Sequence, residues 1–183
     1  QHKAQLLDSV ELGSGMQLAM WENNQDRVNV CSNHHTLSMY IHGGYQSYQK
    51  TPQGWHNGGG PDRICLMPQD YESTWDLRDP LTFVHLYYTE QHLKRVAEQV
   101  WDKEPSQIIL NPQIFVADPQ ISMIYRHFLL NAEWENRENH LQMSTATTLL
   151  LNHLIKNYSH AQWQAPVVKG GLSPYVLKQV LQW

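Results

Sequence analysis

The hydrophobic period of the sequence changes at Thr89, and this change constrains the fold more than any other feature. Before Thr89, short apolar or aromatic runs alternate with clusters of Gly, Pro, Asn and Asp. Many short strands separated by turns are typical of a β-sandwich or β-barrel. After Thr89, apolar residues recur at the 3.6-residue period of a helix. The pattern therefore predicts a β unit over residues 1–88 and a mainly helical region over residues 89–160.

Seven strands are predicted in the first part of the chain. They cover residues 17–22, 28–32, 36–42, 44–49, 63–67, 71–76 and 81–88. Gly43 and Gly44 predict a two-residue hairpin turn, because glycine adopts positive φ at both central positions. The segment 55–61 predicts a loop, since its three consecutive glycines are costly in a regular element.

The helical region begins at Thr89, which is a suitable N-cap. The apolar residues of the first helix share one face: Leu93, Val96, Ala97, Val100 and Trp101. Pro105 ends this helix, and residues 108–116 predict an extended connector that Pro112 interrupts. Asp118 and Pro119 then form an N-cap with proline at the first helical position.

Two long helices follow this cap. The first is predicted to run to about Glu135, and the second from His140 to about Tyr158, with a polar turn over residues 136–139 between them. Long helices joined by a short turn pack as antiparallel neighbours. The sequence therefore predicts a helical hairpin after the β unit.

Both hairpin helices carry apolar residues on more than one face. A helix with one side exposed to solvent needs only one apolar stripe. We predict that one face packs on the β unit and the other on a second subunit, which makes the protein a homodimer. The alternative is that both faces serve the core of the same chain. The residues expected at the dimer interface are Tyr125, Phe128, Leu149 and His153.

Composition excludes several classes of protein. The formal net charge is −4 and no basic stripe is present, so these residues are not expected to bind DNA phosphates. Two cysteines, Cys31 and Cys65, are too few for a disulfide framework and predict free thiols in a reducing cytoplasm. No apolar run approaches the roughly 20 residues of a membrane span, so no membrane association is predicted.

The last residues predict the start of another domain. Residues 161–172 form a predicted linker, and Ser173 and Pro174 are a fresh N-cap and first helical position. Val176, Leu177, Val180 and Leu181 then begin a new apolar stripe, and the sequence ends at Trp183. Residues 173–183 are expected to be the first helix of an absent domain, because so short a helix is marginal alone.

Several segments, in this order, resemble AraC-type transcription regulators. Residues 35–45 resemble a hairpin of their sensory domains, residues 59–75 and 83–88 also resemble segments of these domains, and residues 170–181 resemble the entry to their DNA-binding domain. The resemblance implies a cupin-like (jelly-roll) β-barrel that holds a small effector, followed by a dimerising helical hairpin. It also implies two helix-turn-helix units that these residues do not supply, so DNA would be bound only through the absent domain.

A metal-dependent cupin enzyme is the main alternative. Such enzymes bind their metal through two or three His and one Glu inside the barrel. Here His34 and His35 are adjacent and face opposite ways on a strand. The second metal-binding motif of cupins is Pro-x-Gly followed by a His. Here it reads Pro68-Gln69-Asp70, and Ser73 stands where the His is expected. We therefore predict no metal, no cofactor and no catalytic residue, and hence a protein that is not an enzyme. A freestanding small-molecule-binding cupin remains a further alternative.

Aromatic and polar residues of the β unit are the candidate effector site. The alternation along the last strand places Phe83, His85 and Tyr87 on one face, where a His and a Tyr would orient a polar ligand, unless His85 is simply a hydrogen-bonded core residue. Trp55 and His56 lie in the glycine-rich segment and are expected to close over the mouth of the barrel. The complete set of candidates is Tyr40, Trp55, His56, Glu72, Trp75, His85 and Tyr87. Residues 1–15 are interpreted as an arm that responds to the effector.

Overall fold

The computed structural model describes residues 3–163 and 172–182, which form strands in the first half and both helices and strands in the second. The strands are β1 (Gln5–Glu11), β2 (Gln17–Asn23), β3 (Asp26–Val30), β4 (His35–Gly43), β5 (Ser47–Thr51), β6 (Gly54–Asn57), β7 (Arg63–Met67), β8 (Ser73–Leu77), β9 (Leu81–Tyr88), β10 (Pro105–Leu110), β11 (Gln113–Ala117) and β12 (Ser159–Trp163). The helices are α1 (Glu90–Trp101), α2 (Pro119–Ile124), α3 (His140–Tyr158) and α4 (Pro174–Leu181).

Two antiparallel sheets form the barrel. The larger has the order β1-β2-β9-β4-β7-β11, and the smaller has the order β3-β8-β5-β6. A separate two-stranded sheet, β10-β12, lies within the helical region. The chain is thus a cupin-like jelly-roll barrel followed by a helical hairpin, which confirms the predicted fold class.

The predicted hairpin at Gly43 and Gly44 is wrong, although both residues have positive φ, 67° and 75°. Strand β4 pairs with β7 and β9, whereas β5 pairs with β6 and β8. The chain therefore crosses between the two sheets at these glycines. A Cβ atom at Gly43 would lie 2.2 Å from the carbonyl oxygen of Pro80, so the crossing requires close backbone approach.

The edge strands β1 and β6 lie in segments that were predicted to be an arm and a loop. Residues interpreted as an arm include β1, which pairs with β2 over its whole length apart from a bulge between Leu6 and Asp8. Residues 54–57, most of which were predicted as loop, form β6 and pair with β5. Every residue of β6 is exposed. Backbone pairing at an edge needs no buried side chain, so alternating hydrophobicity does not reveal it.

The larger sheet has two different faces. The main hydrophobic core lies between its outer face and the helices, and it includes Leu37, Met39, Ile64, Leu66, Val84 and Leu86. The alternate residues of the same strands point into the barrel, where a second cluster contains Tyr40, Cys65, Trp75, Leu77, Leu81 and Phe115. Strands β4, β7 and β9 therefore separate the barrel interior from the helices.

The helical hairpin is antiparallel. Asp118, before α2, accepts a hydrogen bond from the hydroxyl of Tyr158 at the end of α3, with an O–O distance of 2.6 Å. The helix continues from α2 as π-helical turns over Tyr125–Leu130 and ends there, earlier than the predicted Glu135. The buried Trp134 folds back, and its indole N–H donates to the carbonyl oxygen of Leu129 at 2.9 Å. This side-chain bond satisfies a carbonyl at the helix end.

The predicted connector and linker contain strands. Residues 108–116 are extended as predicted, but they belong to two sheets: β10 pairs with β12, and β11 pairs with β7. Residues 161–163 of the predicted linker belong to β12. The linker residues 164–171 lie outside the described residues. Helix α4 begins after Ser173, whose hydroxyl accepts from the backbone N–H of Val176 at 3.4 Å.

Candidate functional site

A cavity of about 350 Å³ lies inside the barrel, between the two sheets. Alternate residues of β4 and β9 form one wall, and side chains of β3 and β8 form the opposite wall. The volume lies at the lower end of the range of ligand-binding pockets. The interior therefore has space for one small molecule.

Four of the seven predicted effector-site residues line this cavity: Tyr40, Trp75, His85 and Tyr87. The other three lie elsewhere. Trp55 lies on the outside of the barrel, where the guanidinium of Arg27 is 5.2 Å from the centre of its ring. His56 is exposed beside Phe115, and Glu72 is exposed. The positions of Trp55 and His56 follow from β6 being an outer strand rather than a loop over the barrel mouth.

His85 is held by a short chain of hydrogen bonds. The indole N–H of Trp21 donates to the hydroxyl oxygen of Tyr87 at 3.0 Å, and this oxygen lies 3.0 Å from Nδ1 of His85. In the tautomer that carries the imidazole proton on Nε2, Nδ1 accepts the hydroxyl proton of Tyr87, while the same oxygen accepts from Trp21. Burial lowers the pKa of His85 to about 3, so the imidazole is neutral near pH 7.

The pairing of β4 with β9 brings further polar side chains beside His85. Ser38 lies directly opposite His85, and Thr36 lies directly opposite Tyr87. Both are buried, and both line the cavity. One side of the cavity is therefore a cluster of hydroxyl and imidazole groups on a mostly apolar surface. The register that creates this cluster is a long-range feature that periodicity does not predict.

The residues that line the cavity do not match the metal ligands of cupin enzymes. Two imidazoles, His34 and His85, line the cavity, and no carboxylate does. Within residues 3–163 and 172–182, no group of three His, Cys, Asp or Glu side chains is close enough to share a metal ion. A stable metal site needs a defined number of ligands in a defined geometry.

Cys65 lines the cavity, and Phe115 packs behind its wall. Burial raises the pKa of the Cys65 thiol to about 12, and the backbone N–H of Phe115 points at its sulfur, 3.5 Å away. Such a thiol is a poor nucleophile. Phe115 has a φ of 56°, which is unusual for a bulky residue, and its ring packs against Tyr40 and Trp75. Sequence analysis placed Phe115 in a connector and missed it, since no local pattern marks such a contact.

The predicted dimer residues divide into two pairs. Tyr125 is fully buried, and its hydroxyl donates to the carbonyl oxygen of Leu37 in β4 at 2.6 Å. His153 is also buried, and its Nε2–H donates to Asp118 at 2.8 Å. Phe128 and Leu149 are exposed by 40% and 42%. The first two belong to the core of this chain, and the second two lie on its surface.

The chain shares its fold with a known regulator. The AraC-like transcriptional activator CuxR matches 98% of this chain with a TM-score of 0.54 and 11% sequence identity. This chain spans 64% of the length of CuxR. The likeness establishes a common fold, a cupin-like barrel with an appended helical hairpin.

Two other solved structures match about half of the chain. The EutQ protein of Clostridium difficile matches 47% of this chain and 66% of its own length, with 13% identity and a TM-score of 0.38. The Cupin_2 domain of an XRE family transcriptional regulator from Enterobacter cloacae matches 46% of this chain and 93% of its own length, with 12% identity and a TM-score of 0.36. No protein-family model matches the chain, and no curated protein matches it. In the described ranges, no helix has the length and apolar character needed to cross a bilayer.

Proposed function

We propose that this chain is the effector-sensing and dimerisation part of a bacterial, cytoplasmic AraC-type transcription regulator. A small molecule binds in the barrel, and its binding changes how a DNA-binding domain after residue 173 is presented. One observation carries the proposal. One face of the larger sheet lines the cavity, and its other face packs against the helical hairpin. A molecule in the cavity therefore acts on strands that directly contact the hairpin.

Two contacts connect the cavity to the hairpin. Phe115 packs against cavity residues Tyr40 and Trp75, and it lies three residues before Asp118, the N-cap of α2. Tyr125, in the π-helical continuation of α2, is bonded to β4 between the cavity residues Thr36 and Ser38. A ligand that moves these strands would move the start of α2. It shifts the equilibrium only by its differential affinity for the two arrangements.

The dimer is proposed to form on the exposed face of the hairpin. Between Leu141 and Ile155, α3 contains no Asp, Glu, Lys or Arg. The exposed side of the hairpin includes Met123 of α2, Phe128 of its π-helical continuation and Leu149 of α3, each at least 40% exposed. Large exposed apolar side chains beside an uncharged stretch of helix favour a subunit interface. In this proposal Tyr125 and His153 do not contact the partner subunit; they are buried beneath the exposed interface residues.

The barrel is proposed to bind its ligand without converting it. The cavity wall carries no carboxylate, its thiol has a raised pKa, and His85 is a neutral imidazole held by Tyr87. General acid–base or nucleophilic catalysis needs a group whose pKa is matched to the reaction. The metal-enzyme alternative is tested by metal analysis of the purified protein: stoichiometric iron, zinc, manganese or nickel would contradict the proposal.

Sedimentation analysis tests the dimerisation. We expect the wild-type protein to sediment as a dimer and Leu149→Glu to sediment as a monomer. Val100→Glu is the matched control, because Val100 lies on α1 and is exposed to a similar degree, 39% against 42% for Leu149. A wild-type monomer at high protein concentration, or a dimer unaffected by Leu149→Glu, would exclude the hairpin interface.

A thermal-shift screen tests the sensing. A mixed library of charged and uncharged small molecules should contain compounds that raise the melting temperature of the wild-type protein. The same compounds should have no effect on Ser38→Phe, in which the added ring occupies the cavity beside His85. If no compound stabilises the wild-type protein, or if stabilisation persists in the folded variant, the barrel is not the sensor.

A further inference from the structure

We propose that the ligand of the barrel cavity is an uncharged, mainly apolar molecule, about the size of a single substituted ring, with a hydrogen-bond acceptor directed at Ser38 and His85. The inference rests on the sensing function proposed above and specifies its ligand. It follows from the charges, the unpaired polar atoms and the volume of the cavity.

The charge of the ligand follows from the cavity wall. None of the residues that line the cavity is an Asp, Glu, Lys or Arg. Burial lowers the pKa of both imidazoles, so neither His34 nor His85 supplies a positive charge near neutral pH. An ion that enters such a site loses its hydration and gains no counter-charge, which is strongly unfavourable. Carboxylates, phosphates and amines are therefore poor ligands for this cavity.

The acceptor group follows from polar atoms that the protein leaves available. No residue of the described chain forms a hydrogen bond with the side-chain hydroxyl of Thr36 or Ser38, or with Nε2 of His85. Thr36 is 4% exposed and Ser38 is 2% exposed, and both border the cavity. Buried polar groups are normally paired, so these atoms are the natural partners of a ligand. In the tautomer that carries its proton on Nε2, His85 is a donor and, like the hydroxyl of Ser38, pairs with an acceptor such as a carbonyl oxygen.

The apolar character follows from the opposite wall. Val28 and Val30 of β3 and Trp75 and Leu77 of β8 offer no unpaired polar atom, because the indole N–H of Trp75 already donates to Ser73 at 2.8 Å. A sugar would place several hydroxyl groups against this surface, where they would lose their bonds to water. The ligand therefore directs an apolar side at this wall.

The size follows from the volume. A cavity of about 350 Å³ equals the volume of about a dozen water molecules. This space accepts one ring with a short substituent, and it excludes long chains and fused polycyclic molecules unless the barrel opens.

Four probes of similar size separate these properties in equilibrium titrations followed by tryptophan fluorescence and ligand-observed NMR. Acetophenone is neutral and has one acceptor, benzoate is its anionic counterpart, benzylammonium is a cation, and D-glucose is a neutral polyhydroxy compound. We expect acetophenone to bind at least about tenfold more tightly than each of the other three. Ser38→Ala should weaken acetophenone binding by about three- to tenfold, since one hydrogen bond is lost and no bulk is added.

The matched control is Ser144→Ala on α3, outside the cavity, which should leave acetophenone binding unchanged. If benzoate, benzylammonium or glucose bound as tightly as acetophenone and lost affinity in Ser38→Ala, the proposed ligand class would be wrong while the barrel remained the sensor. Acetophenone binding that is insensitive to Ser38→Ala would contradict the assigned polar contact. If neither the four probes nor any member of the screening library bound, both this inference and the sensing function would fail.

Discussion

The ring of Phe115 meets the indole of Trp75 edge to face, with a centroid distance of 5.5 Å and an interplanar angle of 87°. Trp75 belongs to the cavity wall, whereas Phe115 belongs to β11, the strand that leads into the helical hairpin. An edge-to-face aromatic pair is favourable beyond its buried area. The pair is therefore one of the two contacts that connect the candidate ligand site to the helical hairpin.

Phe115→Ala should destabilise the protein by about 3–5 kcal/mol, because it leaves a cavity between Tyr40 and Trp75. Urea unfolding followed by far-UV circular dichroism measures the change. The neighbouring, less buried Ile114 provides the control, and Ile114→Val should cost about 1 kcal/mol. A Phe115→Ala loss no greater than the control would show that the ring does not anchor β11 to the barrel.

Gly58→Ala should also destabilise the packing of Phe115. A Cβ atom at Gly58 would lie 2.6 Å from Cβ of Phe115, which forces the strand or the ring to move. Overpacking of this kind typically costs about 1–3 kcal/mol. Gly13→Ala is the control, since a Cβ atom there has nothing within 4 Å. Equal melting temperatures for the two variants would contradict the proposed close approach of the 58–60 loop.

The free energy of unfolding should decrease as the pH is lowered, because of His85. Its folded-state pKa of about 3 is lower than the ordinary histidine pKa of 6.5, so the unfolded chain binds the additional proton between these values. The neutral imidazole contributes fully above pH 6.5, and stability is lost by up to about 1.4 kcal/mol for each pH unit below it. Urea unfolding at pH 7 and pH 5 should show a smaller pH dependence for His85→Gln than for the wild type. The same pH dependence of stability in both proteins would mean that His85 is exposed to water in the folded state.

Asp118 should stabilise the hairpin only when it is ionised. Burial raises the pKa of this carboxyl, but hydrogen bonds from Tyr158, His153 and the backbone of Ile121 outweigh burial and lower it below 3.8. Its contribution is thus complete above pH 3.8 and disappears as pH falls through the folded-state pKa. Asp118→Asn should cost about 3 kcal/mol at pH 7, because it breaks a buried charged network.

The advantage of the wild type over Asp118→Asn should shrink in acid. Unfolding curves at pH 7 and pH 3 measure this difference. Asp8→Asn on β1 is the control, because the half-buried carboxylate of Asp8 accepts, among the described residues, only from the neighbouring backbone N–H of Ser9. A pH-independent difference between Asp118→Asn and the wild type would contradict a lowered pKa.

Lys178→Ala should release α4 from α1. The ammonium of Lys178 lies 2.8 Å and 2.9 Å from the two carboxylate oxygens of Glu98, whose side chain is only 8% exposed. Hydrogen exchange of residues 174–181 should become faster in Lys178→Ala and remain unchanged in Lys156→Ala, which alters an exposed lysine of α3. Equal exchange in both variants would show that the ion pair does not hold α4.

Much of the local structure was predictable from the sequence. The predicted bounds of the strands at 63–67 and 81–88 and of the helix from His140 to Tyr158 agree with β7, β9 and α3. These elements alternate or repeat their apolar residues with a clear period, and period is a local property. The same alternation placed His85 and Tyr87 on one face, which the cavity confirms.

The sequence by itself determined which segments are strands or helices and which of their residues face together. Only the tertiary structure decided which sheet each strand joins, that Ser38 lies opposite His85, and that Phe115 adopts a positive φ against the cavity wall. Strand pairing and side-chain packing join residues that are distant in the chain, and many registers are compatible with the same local pattern. The free energy of the complete core selects one of them.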